Sequence, residues 1–130
     1  MINETELVVI GGGAAGMMCA YTAASRGVAT VLLEPNRQLG RKVRITGKGR
    51  CNLTNNCDVK EFMRNIPGYG RFLYSALSRF APADTIAFFE SHGLPVKTER
   101  GNRVFPVSDN ANDVAGTMTH LCERAGVQII

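Results

Sequence analysis

The chain has 130 residues, 45% hydrophobic and 20% charged, which suits one domain with a single buried core and excludes general disorder. Its net charge of +4 is concentrated: Arg37, Arg41, Lys42, Arg44, Lys48 and Arg50 fall between Pro35 and Cys57 with no acid among them, while the remainder carries nine cations and eleven acids. A basic loop on a mildly acidic body excludes an all-over basic coat and points to an anionic ligand.

Leu7-Val8-Val9-Ile10 is a short, continuously apolar, β-branched run, the pattern of a strand buried on both faces of a parallel sheet. It enters Gly11-Gly12-Gly13-Ala14-Ala15-Gly16 and then a small-residue segment through Arg26 that predicts a helix, with Gly27 as its stop. A second apolar run, Val28 to Leu33, ends in Glu34. The uncharged stretch from Leu7 to Ser25 is long enough to suggest a membrane span, but three consecutive glycines interrupt it. Glu4 and Glu6 stand where a signal peptide would carry cations, so neither a span nor a leader is expected.

Within this strand-helix-strand unit, Gly11, Gly13 and Gly16 satisfy G-x-G-x-x-G. Gly11 permits the tight turn, Gly13 lets the backbone approach a pyrophosphate, and Gly16 allows close helix-strand packing, extended by Ala20. Phosphates would meet unpaired N–H groups at the positive end of the helix. Glu34 stands at the expected distance of ~20 residues to accept hydrogen bonds from a ribose. Its charge disfavours the 2′-phosphate of NADP, leaving FAD and NAD open.

From Pro35 to Cys57 the chain is Gly- and Arg-rich and lacks periodicity, as in Ile45 to Asn55, "ITGKGRCNLTN". Long irregular loops inside domains are usually functional or disordered. A Walker-type phosphate loop fails, because Gly40 and Gly47 are too far apart and Gly49 follows Lys48 where a hydroxyl is required. Asn52-Leu53-Thr54 matches a glycosylation acceptor, an accidental match without a secretory signal. A nucleic-acid patch built on residues 37–50 lacks any aromatic side chain to stack a base. A solvated basic loop is the bland alternative.

Downstream, Phe72, Leu73, Ala76, Leu77 and Phe80 share one face at helical spacing, as do Ile86 and Phe89, and the aromatics are expected in the core. Pro82 and Gly93 suit a helix start and stop. Leu94 to Thr98 and Arg103 to Phe105 predict a hairpin. Ser108 is a candidate cap for a helix in which Val114, Met118, Leu121 and Cys122 share a face, followed by a third parallel strand opening at Val127. His92 and His120 suit surface or helix-end positions. The four cysteines (Cys19, Cys51, Cys57, Cys122) show neither C-x-x-C nor zinc-ligand spacing, so no metal is expected and reduced thiols in a cytoplasmic protein are the default.

The combination of "GGGAAG", a strand ending in Glu34, "LGRK", "TGKGRCNLTN" and "GNRVFPVSDNANDV" resembles the start of the BaiN/YhiN-type flavoproteins, also called aminoacetone oxidase-like proteins. The resemblance spans nearly the whole chain and implies a Rossmann-like FAD-binding domain of the two-dinucleotide-binding type, α/β with a parallel sheet flanked by helices. It implies redox catalysis and a longer parent, of which this chain is an N-terminal fragment, inactive alone. On this reading residues 1–130 are one FAD-binding domain. Residues 1–34 form the strand-helix-strand unit, 35–57 the cofactor loop, 58–126 a helical segment with a hairpin, and 127–130 the start of the next strand. Gly11, Gly13, Ala14, Ala15, Gly16 and Glu34 would hold the ADP half of FAD. Arg41, Lys42, Gly49, Arg50, Cys51 and Asn52 would lie along the pyrophosphate and flavin, with Cys51 lining the cofactor rather than exchanging electrons. Cations and N–H groups there would stabilise a reduced flavin. The expected partners are FAD, a small-molecule substrate and NAD(P)H as donor, with no nucleic acid and no membrane. The rivals are a non-redox dinucleotide-binding module and a nucleic-acid-binding protein using residues 37–50.

Overall fold

A computed structural model describes residues 4–130, so the first three positions of the 1–34 unit lie outside the described residues. The β-branched runs form β1 (Leu7–Ile10) and β2 (Thr30–Leu33), parallel and in register from Leu7 opposite Thr30 to Ile10 opposite Leu33. Between them runs α1 (Ala14–Ser25), closed at Gly27, whose φ of +85° is a left-handed stop that a side chain would resist. The uncharged run from Leu7 to Ser25 is thus split by the glycine turn, and no helix among the described residues is long and apolar enough to cross a membrane.

After β2 come β3 (Thr54–Asn55), α2 (Val59–Arg64), α3 (Tyr74–Arg79) and α4 (Pro82–Ser91). They are followed by β4 (Val96–Glu99), β5 (Arg103–Pro106), α5 (Ala111–Arg124) and β6 (Gln128–Ile129). β6 pairs in parallel with β2, Leu32 opposite Ile129, which places β2 at the centre of a β1-β2-β6 sheet. α1 and α5 bury Met17, Ala20, Val114, Met118 and Cys122 with Leu32 in one core. Contrary to the expected burial on both faces, β1 is covered on one: Val9 packs on that core while Val8 and Ile10 face outward, because successive side chains alternate. A second sheet, β3-β5-β4, is antiparallel, and Phe89 and Leu94 join it to the same core.

Three expectations are corrected. The hairpin has a third strand, because Thr54 and Asn55 leave the basic loop to pair with Val104 and Arg103. The cap of α5 is Asn110, whose side chain accepts from the Asn112 N–H at 2.9 Å, while Ser108 Oγ accepts from the Asn110 N–H. Of the supposed core face, Phe72, Leu73, Ala76 and Phe80 are exposed and only Leu77 is half-buried. Phe72 and Leu73 sit in a tight 3₁₀ turn (Gly70–Leu73) ahead of the six-residue α3, so helical spacing does not align them with Leu77.

Candidate functional site

Gly11 has φ +101°, turning the chain from β1 toward α1. A Cβ at Gly16 would overlap the Gly11 carbonyl oxygen, so this position is closed to every other residue without movement of backbone. Gly13 differs: its φ of −79° is open to any residue, and a Cβ there would meet nothing within 4 Å. The space over Gly13 is therefore free for an approaching ligand rather than filled by the protein. α1 begins without a side-chain cap and without an acid in its first turn, so the N–H groups of Ala14, Ala15 and Gly16 keep their capacity for an anion.

Glu34 is brought to this turn by the parallel pairing of β1 and β2. The Gly12 N–H donates to its Oε2 at 2.8 Å, and the Asn36 N–H and Nδ2 donate to its Oε1 at 3.0 and 2.6 Å. Those bonds, the Asn36 main chain foremost, and then Arg41 hold the carboxyl below its ordinary value, so it is a fixed anion. A carboxylate offers about four acceptor positions, which leaves capacity for a ribose hydroxyl. Sequence reasoning passed over Gly12 and Asn36, because their part depends on main-chain donors that no spacing reveals.

The basic loop is pinned back on the glycine turn. The Gly40 N–H donates to the Gly12 carbonyl at 2.7 Å, and a Cβ at Gly40 would press on Ala115 and Met17. Arg44 donates to the Leu39 carbonyl and to Asn112 on α5, both at 3.0 Å. Arg41 reaches Asn36 Oδ1 at 3.3 Å, beside Glu34, whereas Lys42 and Gly49 are exposed on the loop. Arg50, expected along the pyrophosphate and flavin, is also engaged by the protein itself. Its guanidinium pairs with Glu99 and with Asp109 (2.7 Å), and lies 4.0 Å from the centre of the Phe105 ring. Lys97 completes this cluster at 2.7 Å from Asp109. Of the loop's cations, Arg44 and Arg50 thus anchor it to α5 and the hairpin.

Ala14, Thr46, Cys51 and Asn52 line a cavity of about 360 Å³ together with Met17, Phe89 and Met118. Cys51 has φ +60°, a left-handed conformation uncommon outside glycine, and its N–H donates to Thr46 O at 3.1 Å. Burial pushes its thiol above the ordinary range, which opposes thiolate chemistry. The Asn52 amide nitrogen, turned toward the main chain, donates to Thr54 O and Val104 O at 3.0 and 3.2 Å. The thiols of Cys19, Cys51, Cys57 and Cys122 are all free. The turn, the fixed carboxylate and the loop therefore share one end of the parallel sheet, where open α/β folds bind dinucleotides.

Comparison with known proteins agrees with this geometry. The profile described as "HI0933-like protein Rossmann domain" matches residues 5–130. The 3-dehydro-bile acid delta(4,6)-reductase of Clostridium scindens is 39% identical over 124 residues, covering 93% of this chain and 29% of that protein. The ribosomal RNA dihydrouridine synthase of Escherichia coli is 31% identical over 127 residues, covering 97% of this chain and 31% of its own length. The chain thus spans about a third of the length of these curated relatives. Among solved structures, a 3-ketosteroid-delta4-(5alpha)-dehydrogenase from Rhodococcus jostii RHA1 superposes with a TM-score of 0.69 at 15% identity, over 100% of this chain and 39% of that one.

Proposed function

The chain belongs to the HI0933-like family and is its Rossmann domain, whose dinucleotide is FAD, and from that premise we propose a role for each part of the site in a flavin-dependent oxidoreductase. The observation that carries the reading is the Glu34 carboxylate, fixed by the Gly12 N–H beside the open space over Gly13. Glu34 grips the adenosine ribose. The first-turn N–H groups of Ala14, Ala15 and Gly16 meet the pyrophosphate, with Arg41 and Lys42 offsetting its charge. The cavity wall at Cys51 and Asn52 faces the flavin, and Gly49 lets the backbone come close there. Cys51 is a wall of the site, not an electron carrier.

FAD supplies hydride transfer, and this domain binds, orients and partly desolvates it. The relatives' activities, a delta(4,6)-reductase and a dihydrouridine synthase, both saturate a carbon–carbon double bond. By that likeness the substrate of this protein is a ring whose double bond is conjugated to a carbonyl, with NAD(P)H as electron donor. The protein works among the reduced thiols of the cytoplasm.

The test is anaerobic. The purified protein, loaded with FAD and reduced by NAD(P)H, is mixed with a cyclic enone or with uridine-containing RNA. Return of the oxidised flavin spectrum together with a product two mass units heavier is the expected result. Tight ADP or NAD binding without flavin colour would instead establish the non-redox binding module.

A further inference from the structure

We propose that residues 60–80 form a binding surface for single-stranded RNA. The aromatic side chains that the basic loop lacks are found here. Tyr69, Phe72 and Tyr74 are 72%, 80% and 59% exposed, and Arg71 lies among them in the sequence. A surface groove of about 580 Å³ runs past Lys60, Arg64 and Arg71, and a second of about 410 Å³ is bounded by Met63, Tyr69, Arg71 and Tyr74. Met63 and Arg71 belong to both, so the grooves are contiguous.

The turn that carries Tyr69 is packed against its neighbour. A Cβ at Gly70 would lie 2.7 Å from the Met63 carbonyl oxygen, so the absence of a side chain lets the turn carrying Tyr69 and Arg71 press directly on α2. The segment also has the charge an RNA strand requires. Residues 60–80 contain Lys60, Arg64, Arg71 and Arg79 against one acid, Glu61, which is turned onto Arg64 at 2.7 Å. Neither groove is lined by an acid. An apolar patch alone would fit many partners. Cations interleaved with exposed aromatic rings match a strand that carries a phosphate and a flat base at every step.

Of the two acceptor classes above, this surface favours a uracil ring carried on RNA. That link to chemistry rests on the flavin reading; RNA binding itself does not.

Binding is measured by fluorescence anisotropy of a labelled, uridine-rich 12-nucleotide RNA with the purified protein between about 50 and 200 mM KCl. Association weakens with salt, and Arg71→Ala lowers the slope of log K against log salt by about 0.7. Tyr74→Ala weakens binding about tenfold without changing that slope, since it removes stacking rather than charge. Arg37→Ala, in the other basic segment, leaves binding unchanged. Both surface variants keep the parental circular dichroism and melting temperature because their side chains are exposed. Absence of RNA binding overturns the proposal, as does binding that survives Arg71→Ala and Tyr74→Ala, or that depends on Arg37. Flavin content is read separately by absorbance, so a protein that holds FAD but ignores RNA refutes this inference and leaves the flavin reading standing.

Discussion

Two glycines three residues apart do opposite work, and substitution separates them. At Gly16 an added methyl would collide with the Gly11 carbonyl, so Gly16→Ala must push α1 off β1. Overpacking of this kind costs about 1–3 kcal/mol, visible as a lower midpoint in urea. Gly13 has ordinary backbone angles and open space, so Gly13→Val folds as the parent does. It fills the volume where a phosphate would sit, and flavin retained through purification falls at least tenfold, as measured by absorbance. If Gly13→Val retained flavin fully, the phosphate would lie elsewhere. Glu34→Gln is a milder probe. It keeps an oxygen for the Gly12 N–H and loses the charge, so flavin binding weakens less than in Glu34→Ala.

At the scale of elements, the basic loop is not a free strap: Arg50 latches it to β4 and to the turn after β5. Glu99 is held below its ordinary value first by the hydrogen bond from Arg50, and Asp109 first by Lys97 and then by Arg50. A carboxylate depressed by folding contributes stability at every pH above its unfolded value and loses it as pH falls through the folded one. The melting temperature therefore stays level from neutral pH to about 5 and declines below the ordinary carboxylate values of 4.5 and 3.8. Glu99→Gln melts earlier at pH 7 and shows a shallower acid decline, because one of the titrating groups is gone. Glu34 adds to the remaining slope, being depressed in the same direction. The hairpin was legible from Leu94 to Phe105 because alternation and a Gly-Asn turn are local signals. The pairing of Thr54 with Val104, and the clasp from Arg50 to Glu99, join residues about fifty positions apart, and no local pattern announces them.

For the whole molecule, the parallel sheet and its dinucleotide turn were readable in the first thirty-four residues, since β-branched runs, glycine spacing and a terminal acid constrain one another. The segment from Phe72 to Phe80 misled because apolar side chains at helical spacing were equated with burial, whereas here most of them are exposed on a tight turn and a short helix. The same distinction applies to the sheet. α1 and α5 share its core on one side, while Val8 and Ile10 on the opposite side of β1 are 52% and 85% exposed. Parallel sheets are normally covered on both faces, so this strip is adhesive. Ile10→Thr keeps a β-branched residue in the strand and removes only exposed apolar surface, so stability changes by less than about 0.5 kcal/mol. Over the same substitution, fluorescence of an apolar dye bound to the protein falls, and any self-association seen by sedimentation weakens. A loss of several kcal/mol would mean instead that Ile10 is packed and that this face of the sheet is covered.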